Sequence, residues 1–438
     1  MSSEQQGDRV IELNVPMITR LEGEGALVLK AKEGKLESVH LKIYEPPRYF
    51  EKLLEGKHFT ELPHIVARIC GICPIAYQMT AVRAVETLFE VVLPDSIAAL
   101  RRVTQCGEWL QSHALHIHFL AAPDYLGFDN VMGLAKRYPE EVKRGMRLQA
   151  LGNDLLRLQG GRSVHPIGLK VGGYSALPDP KVIAELVERL SQAEVDCQQL
   201  ARWIASLPIP DDNQTFLSVA CSGDGSYPMN EGKIRVSDGA EISADEYPTH
   251  FIEHQEPHST ALFSLYRGKE PYLVGPLARI NLSFDRLHPA VQTLANDLGW
   301  RFPSHNMYHS IAARVLECYY AVLEAKSILE GIGTLTMIDA AVEVTPKAGQ
   351  ASWVTEAPRG LIYHRYELDK EGYIKACSII PPTSQNQARI EQDLITSVNR
   401  FGLDHSEEEL KFYCERLIRN YDPCISCSVH FLKLQLLS

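Results

Sequence analysis

Two Cys-x-x-Cys pairs stand near opposite ends of a 438-residue chain: Cys70 and Cys73 in "RICGIC", Cys424 and Cys427 in "DPCISC". Thiolates are soft donors, and two of them three residues apart on a tight turn can face one ion as half of a tetrahedral shell. Gly71 permits such a turn in the first pair. In the second, Pro423 lacks a backbone N–H and pushes Asp422 out of helical geometry, so the chain must turn there. Three readings compete. The four sulfurs could hold a structural zinc, or an iron or nickel centre, or each pair could be a separate redox dithiol. A closed zinc site needs no acid–base groups, yet several accompany the pairs: Asp422, His430, Arg20, Glu22 and Glu24 in "TRLEGEG", Arg162 and His165 in "GGRSVHP", and Glu356 and Arg359 in "EAPRG". Each of these taken alone reads as an ordinary surface or ion-pair residue.

The elements that must position these residues are mostly helical. Helical periodicity runs roughly over 76–93, 96–120, 139–159, 181–206 and 307–330. Alternation on both sides of "KEGK" predicts a hairpin over 26–44, and a second hairpin over 360–380 turns at Lys370–Gly372. Residues 215–285 read as turns and short strands. A last helix starts at a capping box, Ser406 with Glu409, and runs to about Asn420. The expected fold is mainly α with small β hairpins (α+β), a single large domain over 1–430 followed by a short tail.

The composition, 45% hydrophobic and 23% charged, is that of a globular protein. A net charge of −11 without a basic run argues against a nucleic-acid surface. No apolar stretch is long enough to span a membrane, and the start lacks the pattern of a secretion signal. The other six cysteines (Cys106, Cys197, Cys221, Cys318, Cys377, Cys414) are isolated and read as plain thiols.

Taken together and in order, these motifs resemble the large, catalytic subunit of nickel–iron hydrogenases. The matching stretches are "TRLEGEG" (19–25), "RYFEKLLEGK" (48–57), "RICGIC" (68–73), "HALH" (113–116), "GGRSVHP" (160–166), "EAPRGLIYH" (356–364), "PPTSQN" (381–386) and "DPCISCSVH" (422–430). "YEPPRYFEKL" and "RICGICPIAYQMT" look most like the cytoplasmic, NADP-linked bidirectional (sulfhydrogenase-type) branch. Relatives of this fold in respiratory complex I have lost both cysteine pairs. A hydrogen-sensing subunit or a zinc-stapled structural relative is the alternative.

The resemblance implies reversible heterolytic oxidation of H2 at nickel bound by four thiolates, with iron carrying carbon monoxide and cyanide. Cys70 and Cys424 would be terminal nickel ligands, and Cys73 and Cys427 bridges to the iron. Arg359 and Thr383 would donate to cyanide. Glu22 would relay the proton, Asp422 and Asp124 would hold Arg359, and His116 would hydrogen-bond near a bridging thiolate. Glu51, His430 and the carbonyl of about Ile379 would bind a second ion, magnesium or iron.

Three departures from the family pattern stand out: Tyr77 where most relatives have His, Gly23–Glu24 in place of Gly-His, and no Trp in "PPTSQN". With its paired cysteines used, the chain has none left in cluster spacing. The resemblance therefore implies an iron–sulfur small subunit, flavin- and NADP-binding diaphorase subunits, and a nickel chaperone. It also implies a maturation protease that removes residues 431–438.

Overall fold

The computed structural model describes residues 10–32, 35–223, 225–332 and 339–429. His430 and the tail 431–438 lie outside the described residues, and so does the middle of the "KEGK" turn.

Four long helices surround the largest buried core. Asp95–Leu115 packs against Pro139–Gly160 and Ser310–Gly331, and the latter packs on Pro180–Ala205. The first of these contacts is a backbone crossing at Gly107 and Gly152. A Cβ on Gly152 would stand 2.5 Å from the Gln111 amide nitrogen, and one on Gly107 2.7 Å from Leu155 Cβ. Glycine at both positions is what lets the helices approach, and the neighbouring turns of Asp95–Leu115 then reach the first cysteine pair.

The expected helices are present to within a few residues at most ends. The span predicted over 76–93 is the helix Pro74–Leu88, started by Pro74 directly after Cys73. The span over 96–120 changes character at His116, where a π-helical turn, His116–Ala121, follows the α-helix. Each hairpin gains a third strand that the alternation did not reveal. Val10–Val15 joins Gly25–Lys32 and Lys35–Ile43, and Gly349–Ala357 joins Gly360–Leu368 and Ile374–Ile380, all antiparallel. In the second sheet Ala357 pairs with Gly360, so Pro358 and Arg359 form a two-residue turn. Residues 217–273 include a four-stranded sheet of Tyr272–Leu273, Leu217–Ser222, Lys233–Val236 and Glu241–Ser243.

A long helix went unread in the sequence. "PPTSQN" opens Pro382–Phe401, which buries Thr383, Ile390, Leu394 and Val398 along one face. The final helix, Glu407–Tyr421, carries the expected capping box and ends with Asp422 in left-handed geometry at φ 53°, ψ 52°. The chain then makes a single helical turn, Ile425–Ser428. All four paired cysteines belong to the largest core.

Candidate metal centre

The two cysteine turns meet. Cys70 Sγ lies 3.0 Å from Cys73 Sγ and 3.6 Å from Cys424 Sγ, and Cys73 Sγ lies 4.0 Å from Cys427 Sγ. All four sulfurs fall within 4.8 Å of one another and all four residues are buried. Four sulfurs at ~2.3 Å from one tetrahedral ion stand about 3.8 Å apart, so the spacing matches a shared metal centre and excludes two separate dithiols.

Backbone and side chains hold each turn. The Ile72 and Cys73 amides donate to Cys70 Sγ at 3.3 and 3.2 Å. Glu108, fully buried on helix Asp95–Leu115, accepts from the Ile75 and Ala76 amides at 2.6 and 3.0 Å, which caps the helix that leaves Cys73. Burial pushes the Glu108 carboxyl well above its ordinary range, an effect that those two amides oppose. Arg48 joins the two turns, donating one nitrogen to the Ile69 carbonyl (2.7 Å) and to the Ser426 carbonyl. Sequence spacing gave no hint of Glu108 or Arg48 in these roles. Arg48 lies inside a quoted motif, and Glu108 sits in a helix of unremarkable pattern.

Removing Glu108 strands two buried amides, each worth about 1–3 kcal/mol. Glu108→Ala is therefore expected to lower unfolding free energy by roughly 2–5 kcal/mol, while Glu108→Gln, which keeps one acceptor, loses less. Urea unfolding of the two variants checks this.

Glu22 is positioned by its own backbone. Ile425 N donates to the Glu22 carbonyl at 3.0 Å, while the Glu22 carboxylate receives the Cys424 thiol and the Ser426 amide, each at 3.1 Å. Gly23, at φ 86°, lies flat on the C-terminal turn, where a Cβ would come within 2.7 Å of Ile425 Cβ. Glu22 is half-buried, so one carboxylate connects a buried thiol to the outside.

Arg359 projects from its two-residue turn into the centre. Arg279 fixes that turn by donating to the Ala357 and Pro358 carbonyls at 2.8 and 3.0 Å. Arg359 donates from Nε to the Asp422 carbonyl (2.8 Å) and from Nη2 to Asp422 Oδ1 (3.1 Å). Its Nη1 is buried without a partner, as are Asp422 Oδ2, the Tyr77 hydroxyl and His116 Nδ1. Burial resists charge on Arg359, but Asp422 and the cysteine sulfurs hold its pKa above the ordinary value. The Thr383 hydroxyl accepts from the Cys424 amide at 2.9 Å, which leaves its proton free to donate elsewhere.

Two expected contacts are replaced by others. Asp124 does not hold Arg359. It accepts two bonds from Arg419 Nη1, both 2.9 Å, and pairs with Arg20, which also donates to the Leu120 carbonyl at 2.8 Å. Two nearer guanidinium groups thus claim this carboxylate, and it anchors the loop that carries Glu22. His116 Nε2 bonds the Arg419 carbonyl at 2.7 Å rather than a thiolate, because the π-helical turn aims it at the end of the last helix. For the second ion, Glu51 Oε1 accepts from the Ile379 amide at 2.7 Å, so those two expected ligands are adjacent.

The donor set fits a nickel–iron pair. Burial holds the Cys424 and Cys427 thiols above the ordinary range, while Cys70 falls below it: burial opposes that drop, but its sulfur contacts and Arg359 outweigh it. Four such thiols in a dry pocket carry their charge only against a soft cation. The orphaned Arg359 Nη1 and Tyr77 hydroxyl are donors waiting for small polar ligands.

The chain belongs to the nickel-dependent hydrogenase family, whose model matches residues 48–146 and 233–430. Within it, the resemblance is to large subunits of multi-subunit enzymes. The sulfhydrogenase 2 alpha subunit of Pyrococcus furiosus is 30% identical over 97% of this chain and 100% of that protein. The beta subunit of the NAD-reducing hydrogenase HoxS of Cupriavidus necator is 27% identical, over 96% of this chain and 95% of its own length. A crystal structure of an NAD+-reducing [NiFe]-hydrogenase in the H2-reduced state superposes with a TM-score of 0.87 at 26% identity, covering 96% of this chain and 99% of that one.

Proposed function

We infer that this chain is the large subunit of a multi-subunit nickel–iron hydrogenase, an oxidoreductase that oxidises H2 reversibly to protons and electrons. The observation that carries this reading is the Cys424 thiol bonded at 3.1 Å to the half-buried Glu22 carboxylate beside three further sulfurs. When bound, the nickel–iron pair supplies the electron-accepting metal at which H2 is polarised. Cys424 is the first base, and Glu22 takes the proton from its sulfur. Ser426 stands next along the way out: its amide holds Glu22, and its hydroxyl donates at 3.1 Å to Glu45, which is half-buried. Arg359, steadied by Asp422, keeps one cationic N–H for the reacting side of the centre.

Carbon monoxide and cyanide on the iron belong to this reading. The Arg359 Nη1 and Thr383 hydroxyl donors would take cyanide nitrogens, and the Tyr77 hydroxyl stands where most relatives have His. Magnesium or iron would sit between Glu51, Ile379 and His430. Metal analysis of the purified protein is the decisive measurement: nickel and iron near one each, with infrared bands of carbon monoxide and cyanide, are expected. Zinc alone in the cysteine site would overturn the assignment.

Electrons must leave, and among the described residues no second cysteine cluster exists to carry them. Gly71, between the first two cysteines, is exposed beside Val164, which is 52% exposed, and Ile167, next to Gly161, is 53% exposed. An iron–sulfur small subunit docked on this face, burying more than ~2,000 Å² as obligate partners do, would take them over. Diaphorase subunits would pass them on to NADP; the NAD-reducing relative supports a nicotinamide acceptor. No helix among the described residues is long and apolar enough to cross a membrane; the cytoplasmic location belongs to this reading through the sulfhydrogenase-type resemblance.

Residues 431–438 would be removed by a protease after a chaperone delivers nickel. The expected intact mass of active, nickel-loaded enzyme ends at His430, and a fully active chain ending at Ser438 would exclude processing.

A further inference from the structure

Away from the cysteines, a second group of ligand-type side chains converges. His40 lies on the strand Lys35–Ile43, His258 in the loop between strands Phe251–Gln255 and Leu262–Tyr266, and Glu391 on the helix Pro382–Phe401. Their ligand atoms fall within 4.8 Å of one another. His258 Nε2 is 2.8 Å and His40 Nδ1 3.8 Å from the same carboxylate oxygen, Glu391 Oε1. The two imidazole rings stand 4.2 Å apart, tilted by 37°.

We propose that His40, His258 and Glu391 bind one borderline divalent cation, zinc foremost, at a site that shares no residue with the cysteine centre. Two imidazoles and a carboxylate are a common three-residue zinc set, with water as the fourth ligand. Ligand atoms at ~2.1 Å from a tetrahedral ion lie about 3.4 Å apart, between the two measured separations. The side chains are 38%, 16% and 15% exposed, open enough to admit the ion and its water.

One detail favours a cation over a self-contained hydrogen-bond network. His40 Nδ1 is a buried atom with no hydrogen-bond partner. Glu391 Oε1 also accepts from the Leu41 amide at 2.9 Å, which holds the carboxylate in place.

The ion would tie strand, loop and helix together. The same loop already attaches to this strand through Thr260, whose amide donates to the Ile43 carbonyl at 2.7 Å, and to this helix through Ser259 and Gln387. Ile43 and Ala261 pack with Ile425 and Val429 of the C-terminal turn. Occupancy therefore stiffens the floor on which the second cysteine pair sits.

The test uses holoenzyme with nickel and iron already measured, stripped of loosely bound metal and titrated with Co2+, then Zn2+. One additional equivalent of Co2+ is expected, without a thiolate-to-cobalt charge-transfer band, displaced by Zn2+, and Zn2+ should raise the melting temperature. Loss of even an outer partner of a metal ligand costs 10–100-fold in affinity, so loss of two ligands in His40→Gln/His258→Gln should weaken binding at least ~100-fold while leaving nickel and iron content unchanged. Glu391→Gln is the second variant, and its loss of binding decides the matter if the double variant fails to fold. The absence of an extra equivalent, a thiolate band, or unchanged binding in these variants overturns the site. None of these outcomes depends on whether the cysteine centre catalyses H2 oxidation.

Discussion

Glu22→Gln is expected to keep nickel and iron at one each and to lose H2 turnover by 10²–10⁴-fold, the usual contribution of a positioned acid–base group. The amide has nearly the carboxylate's shape. It can still accept from the Ser426 amide, a contact of 3.1 Å in the native chain, so the turn should stay in place. What it cannot do is take a proton from the Cys424 sulfur and release it again. The loss should therefore appear in turnover and in H2/D2 isotope exchange, with the metal content unchanged. Glu45→Gln, one step further out at the Ser426 hydroxyl, should lose less, because water can replace a half-buried group. Near-normal exchange in Glu22→Gln would remove Glu22 from the proton route.

The second large effect concerns Arg359, and two variants separate its roles. Lysine keeps the charge but is a point donor. It cannot reach the Asp422 carbonyl and carboxylate at once and still keep an N–H directed elsewhere, as the planar guanidinium does. Removing one preorganised donor of this kind lowers rate by about 10²–10³-fold, so Arg359→Lys should show that loss with nickel retained and the fold intact. Arg359→Leu removes the charge and leaves Asp422 buried and unpaired. Breaking a buried pair in that way costs about 3–5 kcal/mol, so this variant should also unfold at clearly lower denaturant. Equal activity in wild type and Arg359→Lys would show that the third nitrogen is idle.

The same residues separate what could be read along the chain from what could not. The cysteine pairs, the capping box at Ser406 and the main helices were legible because each is a local pattern: a spacing of three, a cap with its carboxylate, a period of 3.6. Pro423 likewise announces that Asp422 leaves helical geometry, though not that it turns left-handed. The helix Pro382–Phe401 escaped because its first turn is all but buried and polar, Thr383-Ser384-Gln385-Asn386, with no alternation of apolar and exposed residues to count. The third strand of each sheet escaped for a related reason: a partner strand is defined by pairing, not by its own pattern.

At the centre, sequence determined which atoms are available, and tertiary structure decided which of them meet. Four thiols, Glu22 and Arg359 were visible as chemistry, and the family resemblance supplied their shared site. Asp124 was assigned to the wrong arginine, because a carboxylate pairs with whichever cations the fold brings nearest, here Arg419 and Arg20. Arg48 and Glu108, which lock the two cysteine turns, act on backbone groups far from them in sequence or across a helix crossing. Hydrogen bonds of that kind depend on position in space, and no spacing along the chain encodes them.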